Sequence, residues 1–334
     1  MAVASLRSGQ QFELVTPAGR RLCGRRWAGQ GVPLVFLHGL LDCAVGWDGL
    51  ARAMRQPCIA LDLPGFGGSD LPTRPRISAY AEVVTWALGE LDVSDVVLVG
   101  HSLGGAVATA VAERAPERIG SLVLLAPAGF GRVHLAEAIS VPALRNLTAA
   151  ALPLALANPL VLTAAYMTMV SAGQLPEAPM LGRVMRRAFR AMPGVRDATR
   201  AVVAAGLSAH GFDRRRVAFD GPVTALWGER DRLVPPAHAA GVRRALPQAT
   251  VHVWSAMGHH PQHERPGALA KLIQTAALSR AHAQGSLPVR WDPDPSAGRA
   301  ILRRGQRATS PHVRGTADRL RPGRPTALQY WRVG

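Results

Sequence analysis

The six residues Gly100-His101-Ser102-Leu103-Gly104-Gly105 form the most informative stretch of the chain. They stand between an apolar, β-branched run, VVLVG (96–100), and an Ala-rich segment that predicts a helix over 104–115. Glycines two residues before and two residues after Ser102 permit a strand-to-helix turn that is too tight for larger side chains. Such a turn raises the serine hydroxyl above the carboxyl edge of a parallel sheet, beside a helix N-terminus whose free N–H groups favour negative charge. The stretch therefore predicts a nucleophilic serine on an α/β scaffold.

Strand-like and helix-like patterns alternate on both sides of this turn. Two short strands are expected within 10–29, followed by the apolar runs LVFLH (34–38), CIALD (58–62), VVLVG (96–100), LVLLA (122–126), VTALWG (223–228) and VHVW (251–254). Helices are expected over about 46–55, 77–91, 104–115, 237–246 and 262–283. This alternation predicts a doubly wound, mostly parallel sheet.

The alternation is interrupted once, and it stops before the end of the chain. Residues 129–213 are rich in Ala, Leu and Met without a strand-like run, which indicates a helical segment inserted into the sheet domain. Residues 285–334 are rich in Arg, Pro and Gly without hydrophobic periodicity, which is typical of a disordered tail, with a basic interaction arm as the alternative. The predicted organisation is a first core segment (1–128), the helical insertion (129–213), a second core segment (214–284) and the tail (285–334).

The charge of the chain argues against a nucleic-acid partner. The 334 residues carry a net charge of +17, of which the ten Arg and three Asp of residues 285–334 supply +7. The other basic residues are scattered, with no basic stripe interleaved with aromatic side chains. Three cysteines make no disulfide framework, and the N-terminus lacks an apolar signal segment, so a cytoplasmic location is expected.

One apolar stretch resembles a membrane span. Residues 146–176 contain no charged side chain and are mostly apolar. A span needs about 20 uninterrupted helical residues, and Pro153 and Pro159 interrupt this stretch. Two shorter helices, buried or in the lid, are therefore expected, and contact of the stretch with a membrane surface stays open.

A serine hydroxyl needs a base near neutral pH, and the base needs an orienting carboxylate. On this scaffold they follow the serine in the order acid, then histidine. Asp231 lies in the loop after the strand 223–228, and His259 lies in the loop after the strand 251–254. Glu229 is the rival carboxylate, but it stands too close to the end of its strand, so Asp231 and His259 are the predicted partners of Ser102.

The histidine-rich segment Gly258-His259-His260-Pro261-Gln262-His263-Glu264 has a second interpretation as a metal site. His259 and His263 have the i, i+4 spacing of metal ligands, but Pro261 argues against one continuous helix through both. No cysteine or second carboxylate cluster lies nearby. No metal and no cofactor are therefore expected, and His260 and His263 are interpreted as wall or surface residues.

Acyl transfer also requires two N–H donors for the developing oxyanion. The backbone amide of Leu103, next to the nucleophile, is one candidate, and that of Leu40, in the loop after the strand 34–38, is the other. His38 precedes this loop and is interpreted as a structural residue that packs and hydrogen-bonds the loop.

In these features the chain resembles the α/β-hydrolase family, in its single-domain, lid-bearing branch. The resemblance covers about residues 10–283 and rests on five motifs in family order: His38-Gly39, Asp62-Leu63-Pro64-Gly65-Phe66-Gly67-Gly68-Ser69-Asp70, the turn at 100–104, Gly228…Asp231, and Gly258-His259 with Pro261, Glu264 and Pro266. It implies a lid placed after the strand that follows the nucleophile helix. Similar proteins include esterases, lipases, lactonases, haloperoxidases, acyltransferases and carbon–carbon bond hydrolases.

These observations favour an ester hydrolase that forms an acyl-enzyme on Ser102 and acts on a small-molecule ester with a lipophilic acyl group. The alternative for the Leu, Met and Ala side chains of 129–213 is that they only pack this segment on the core. The first alternative is hydrolysis of a carbon–carbon bond in a vinylogous diketone, because residues 125–131 (LAPAGFG) are similar to the segment before the lid in that group. A haloperoxidase or acyltransferase would use the same triad. A ligand receptor on a hydrolase scaffold is the alternative without catalysis. The oligomeric state is left open.

Overall fold

The computed structural model describes residues 9–71, 75–133 and 211–284, together with residues 147, 151, 158–165, 167 and 182. Most of the predicted lid, including most of the apolar stretch 146–176, lies outside the described residues, as does the predicted tail. No helix among the described residues is both long and apolar enough to cross a membrane.

Eight strands form one sheet in the order β1-β2-β4-β3-β5-β6-β7-β8. They are β1 (Gln10–Val15), β2 (Arg21–Trp27), β3 (Leu34–Leu37), β4 (Cys58–Leu61), β5 (Val96–His101), β6 (Ile119–Leu125), β7 (Val223–Gly228) and β8 (Thr250–Trp254). β1 and β2 run antiparallel to their neighbours, whereas β4, β3, β5, β6, β7 and β8 are mutually parallel. The predicted mostly parallel sheet is confirmed, and each predicted apolar run forms a strand.

The described helices are α1 (Asp48–Ala53), α2 (Ile77–Glu90), α3 (Leu103–Arg114), α4 (Pro159–Ala165), α5 (Ala239–Ala245), α6 (Pro261–Glu264) and α7 (Pro266–Gln284). In α2 the buried residues recur every three or four positions, which gives the helix one apolar face. They are Ile77, Tyr80, Ala81, Val84, Ala87 and Leu88.

The hydrophobic core lies on both faces of the sheet. Successive side chains of a strand point to opposite faces, and in β3 Val35 and Leu37 pack in one cluster while Leu34 and Phe36 pack in the other. The first cluster includes side chains of α2, α3 and α5, and the second includes side chains of α1 and α7. The sheet is therefore covered by helices on both sides, as predicted for a doubly wound fold.

The helical segment predicted over 262–283 is wrong in its continuity. The structure divides it into α6, which begins at Pro261, and α7, which begins at Pro266. Arg265 lies between them with φ −142° and ψ 57°, outside the helical region. A residue before proline is disfavoured in helical conformation, so Pro266 ends one helix and starts the next.

The two ends of the predicted insertion meet beside the sheet. The amide of Phe212 donates a hydrogen bond to the carbonyl oxygen of Gly129 at 3.1 Å, and the rings of Phe130 and Phe212 stack at 5.5 Å. Gly129 and Gly211 have φ of 94° and 89°, a region that glycine enters without steric cost. The chain can therefore leave the core and return at one place, although the lid boundaries themselves stay a prediction.

Candidate active site

Ser102 sits at the turn between β5 and α3. Its φ of 52° and ψ of −114° are unusual for a residue with a side chain, and its amide donates to the carbonyl oxygen of Leu125 at 2.9 Å. A side-chain carbon at Gly100 would collide with the carbonyl oxygen of Gly104, and one at Gly104 would collide with that of Leu37. Both glycines are therefore required for this turn to pack against its neighbours.

Asp231 and His259 are brought together at the same edge of the sheet. Asp231 follows β7, His259 follows β8, and Nδ1 of the imidazole donates to Oδ2 of the carboxylate at 2.6 Å. The side chain of Asp231 is 0% exposed and that of His259 is 2% exposed, so water does not weaken this hydrogen bond. Oδ1 of Asp231 accepts from the amides of Leu233 and Val234, at 2.9 Å and 2.8 Å, which fixes the orientation of the carboxylate.

This contact determines the tautomer of His259. Because Nδ1 carries the proton given to Asp231, Nε2 carries the lone pair of the neutral ring. Nε2 is buried and has no hydrogen-bond partner among the residues that the structure describes. The atom is thus available as a base in the tautomer that a serine triad requires.

Glu229 takes a different position. Its Oε2 accepts from the amide of Ala256 at 3.2 Å, and the residue is exposed. Between the two candidate carboxylates, it is Asp231 that contacts His259, and Glu229 instead binds the backbone of the loop after β8.

The loop after β3 lies against the serine. A side-chain carbon at Gly39 would lie 3.2 Å from Cβ of Ser102, so the backbone of this loop approaches the nucleophile closely. Leu41 has φ of 63°, a strained value for a residue other than glycine. Within the described part of the chain, the amides of Leu40 and Leu103 donate no backbone hydrogen bond. Among the described residues, no backbone carbonyl therefore occupies either predicted oxyanion donor.

His38 has a structural arrangement. Its Nδ1 donates to the carbonyl oxygen of Gly39 at 2.7 Å, and its Nε2 accepts from the amide of Leu63 at 3.0 Å. Both ring nitrogens are used and the residue is fully buried. This agrees with the structural role expected from the sequence.

Asp62 links the same loop to the segment after β4. Its Oδ1 accepts from the amide of Ala44 at 2.7 Å, and its Oδ2 accepts from that of Gly68 at 2.8 Å. The hydroxyl of Ser69 donates to the carbonyl oxygen of Asp62 at 2.6 Å. The segment 62–70, which entered the sequence analysis only through the family resemblance, therefore supports the loop that carries Leu40.

Two residues that the sequence analysis did not assign to the site hold the loop of His259. Glu264 accepts from the amide of Gly258 at 2.8 Å and from that of His260 at 3.1 Å, so it binds the backbone on both sides of His259. Gln262 donates to the ring of His101 at 3.3 Å. The available signal was local: Pro261 and Glu264 mark the first turn of a helix that begins two residues after His259.

The remaining histidines pack around His259. The ring of His101 lies 4.8 Å from the rings of both His259 and His260, and the ring of His263 lies 5.6 Å from that of His260. His260 is buried, and Nε2 of His263 lies 3.8 Å from Oδ2 of Asp42. Among the described residues, no group of three or more His, Cys, Asp or Glu side chains is arranged to hold a metal ion.

Comparison with known proteins gives consistent matches. A family model described as alpha/beta hydrolase fold matches residues 32–266. An uncharacterised protein of Mycobacterium tuberculosis (strain ATCC 25618 / H37Rv) is 30% identical over 307 residues, which cover 88% of this chain and 86% of the relative. The 2-hydroxy-6-oxononadienedioate/2-hydroxy-6-oxononatrienedioate hydrolase of Cupriavidus pinatubonensis (strain JMP 134 / LMG 1197) is 26% identical over 261 residues, 72% of this chain and 84% of the relative.

Solved structures agree on the fold. A thermophilic esterase superposes with a TM-score of 0.62 at 18% identity, over 82% of this chain and 99% of the other. With the sheet order, the serine turn and the match over residues 32–266, the conclusion is that the chain belongs to the α/β-hydrolase family and is a hydrolase.

Proposed function

We propose that the protein hydrolyses carboxylic esters through an acyl-enzyme on Ser102. The observation that carries the proposal is the buried 2.6 Å hydrogen bond between Asp231 and His259, at the sheet edge where the turn presents Ser102. The carboxylate holds the imidazole in the tautomer whose Nε2 accepts a proton. The family membership supports the same chemistry. So do the amides of Leu40 and Leu103, which donate no backbone hydrogen bond among the described residues.

Acylation follows from these positions. Oγ of Ser102 attacks the acyl carbon while Nε2 of His259 takes the hydroxyl proton, and the carbonyl oxygen becomes an oxyanion. The amides of Leu40 and Leu103 donate to this oxygen. The carbon–oxygen bond to the alcohol then breaks, and the alcohol leaves with the proton held by His259. Asp231 remains ionised and stabilises the imidazolium throughout.

Deacylation repeats the sequence with water. His259 removes a proton from a water molecule, whose oxygen attacks the acyl carbon and forms a second oxyanion in the same amide pair. When this intermediate collapses, the proton returns to Oγ of Ser102 and the carboxylic acid is released. The predicted lid is rich in Leu, Met and Ala, so a small-molecule ester with a lipophilic acyl group is the proposed substrate class.

A panel of p-nitrophenyl esters of increasing acyl length tests the proposal. We expect turnover in the wild-type protein and a loss of about 10³-fold or more in Ser102→Ala, because removing a triad member leaves only the residual effect of binding and the oxyanion amides. Ser121→Ala is the matched control, since Ser121 is also a buried serine but lies near the amino end of β6. Equal turnover in Ser102→Ala and the wild-type protein contradicts the proposal.

Hydrolysis of a carbon–carbon bond is the second candidate. One relative, from C. pinatubonensis, is named as such a dienedioate hydrolase, and residues 125–131 are similar to the segment before the lid in that group. Folded wild-type protein that ignores every ester of the panel but consumes a vinylogous diketone favours this reaction. A protein that accepts neither, and that a fluorophosphonate does not label, favours a ligand receptor on the same scaffold.

A further inference from the structure

His101 occupies the point where three loops of the candidate site meet. It precedes Ser102 at the turn, and Nε2 of its ring lies 2.8 Å from the carbonyl oxygen of His259. A side-chain carbon at Gly39 would lie 2.8 Å from Nδ1 of the same ring, so the backbone of the oxyanion loop lies directly against it. His101 is 1% exposed. The imidazole of His101 therefore lies next to Ser102 and contacts both the backbone of His259 and the loop after β3.

The hydrogen bonds of His101 determine its protonation. A carbonyl oxygen only accepts, so Nε2 carries the proton and donates it to the backbone of His259. Nδ1 then holds the lone pair and accepts from the side-chain amide of Gln262 at 3.3 Å. Burial holds the pKa of His101 well below its ordinary value, and the neighbouring His259 lowers it further, so the ring is neutral.

These contacts leave His101 without a role in proton transfer. A general base must present a lone pair to the proton that it removes. Nδ1 of His101 faces Gln262 inside the protein, and Nε2 is committed to the carbonyl oxygen of His259. The ring of His101 instead fixes the distance between the turn at Ser102 and the backbone of His259.

We propose that His101, supported by Gln262, is a positioning residue that sets the backbone of His259 relative to Ser102. The inference rests on the proposed function. Asp231 fixes the imidazole of His259 through Nδ1, Glu264 binds the amides on either side of this residue, and His101 fixes its carbonyl group. Without the donor of His101, the buried carbonyl oxygen of His259 loses its hydrogen bond and the backbone shifts to find another donor. A small displacement of Nε2 lowers the rate because attack requires aligned reacting atoms.

A pair of substitutions isolates the donor. His101→Gln places an amide N–H at a similar reach along the side chain, whereas His101→Met has comparable length and no donor. We expect His101→Met to lower kcat by about 10-fold to 100-fold with KM nearly unchanged, because the acyl pocket is untouched while the base is displaced. In His101→Gln we expect kcat to recover to within about 5-fold of the wild-type value, since one hydrogen bond to the carbonyl is restored.

The measurement is steady-state kinetics on the best ester of the panel, together with the rate of fluorophosphonate labelling and circular dichroism to establish folding. Equal kcat in His101→Met and His101→Gln overturns the inference, as does a change confined to KM. If His101→Met does not fold, Gln262→Leu takes its place, because it removes the donor that orients the His101 ring. A fall in kcat at constant KM then supports the inference, and an unchanged kcat overturns it.

Failure of the proposed function gives a different result. Wild-type protein that neither turns over esters nor reacts with the fluorophosphonate contradicts the function of Ser102 and, with it, this inference. Wild-type protein that does both, with His101→Met equal to His101→Gln, contradicts only the role of His101.

Discussion

Asp231 illustrates how single residues define the chemistry of this site. Its Oδ1 accepts hydrogen bonds from two backbone amides of its own loop, and its Oδ2 accepts a hydrogen bond from Nδ1 of His259. These three hydrogen bonds fix the orientation of the buried carboxylate. The carboxylate can therefore hold the imidazole in one tautomer, which is its role in the proposed mechanism.

Replacing this carboxylate by an amide tests its role. We expect Asp231→Asn to lower kcat/KM by about 10⁴-fold, because an asparagine N–H facing Nδ1 favours the tautomer whose Nε2 is protonated and cannot act as a base. Glu229→Gln is the matched control, and we expect it to stay within about 2-fold of the wild-type value, as a surface substitution away from the triad. The check is ester kinetics of both variants, and equal losses in the two would contradict the assignment of Asp231.

The triad candidates could be proposed from the sequence because each stands at a recognisable position, directly after an apolar strand and in the expected order. The contacts of His101, Gln262 and Glu264 could not. They depend on how the loops after β3, β5 and β8 converge in space, which no local pattern encodes. The same holds for Asp62, whose carboxylate joins two loops that are separated by a strand and a helix.

Among the secondary-structure elements, α3 follows Ser102 directly and is also joined by an ion pair to a distant segment of the chain. Glu113, near its C-terminus, forms a two-contact ion pair with Arg215, in the segment that follows the insertion, and one oxygen also accepts from the amide of Ala218 at 3.3 Å. The hydrogen bonds from Arg215 are the main reason that the pKa of Glu113 is lowered. The ion pair thus links α3 to the segment that precedes β7.

This pair predicts a pH dependence of stability. A carboxylate with a lowered pKa in the folded state stabilises above its unfolded pKa of about 4.3, and the contribution is lost as the pH falls through the folded value. Because the Arg215 side chain is 51% exposed, we expect Glu113→Gln to cost at most about 1 kcal/mol at neutral pH. The difference from wild type should disappear in acid.

Urea denaturation at about pH 7 and at a series of lower pH values, down to the lowest at which the protein still folds, checks this expectation. Glu117→Gln is the control, because Glu117 is an exposed carboxylate that lies just beyond α3. A Glu113→Gln effect that is as large at the acid pH as at neutral pH would assign the stabilisation to packing and not to the charge.

Element boundaries show where sequence patterns are weakest. The central strands β3, β4 and β5 were predictable because all their residues are buried, and such apolar runs are continuous in sequence. The sequence analysis missed the division of 262–283 into α6 and α7, although Pro266 marks it: a residue before proline is disfavoured in helical conformation, and Arg265 lies outside the helical region. Glu264, at the end of α6, accepts from the amides on both sides of His259, so the end of this short helix lies at the candidate site.

At the scale of the whole molecule, the doubly wound sheet explains why distant segments form one site. Parallel strands bring their carboxyl ends to one edge, so the residues after β3, β5, β7 and β8 meet there although the chain places more than a hundred residues between Ser102 and Asp231. The net charge of +17 has no counterpart in the described part of the candidate site, whose argued groups are histidine rings, backbone amides and the carboxylates of Asp231, Asp62 and Glu264. The overall charge therefore says little about the reaction.

Covalent labelling of the wild-type protein with a fluorophosphonate, followed by peptide mapping by mass spectrometry, tests the assignment of Ser102 most directly. We expect one adduct per chain, on the peptide that contains Ser102, with no labelling of Ser102→Ala and normal labelling of Ser121→Ala. An adduct on another serine, or undiminished labelling of Ser102→Ala, would contradict the assignment of Ser102 as the nucleophile.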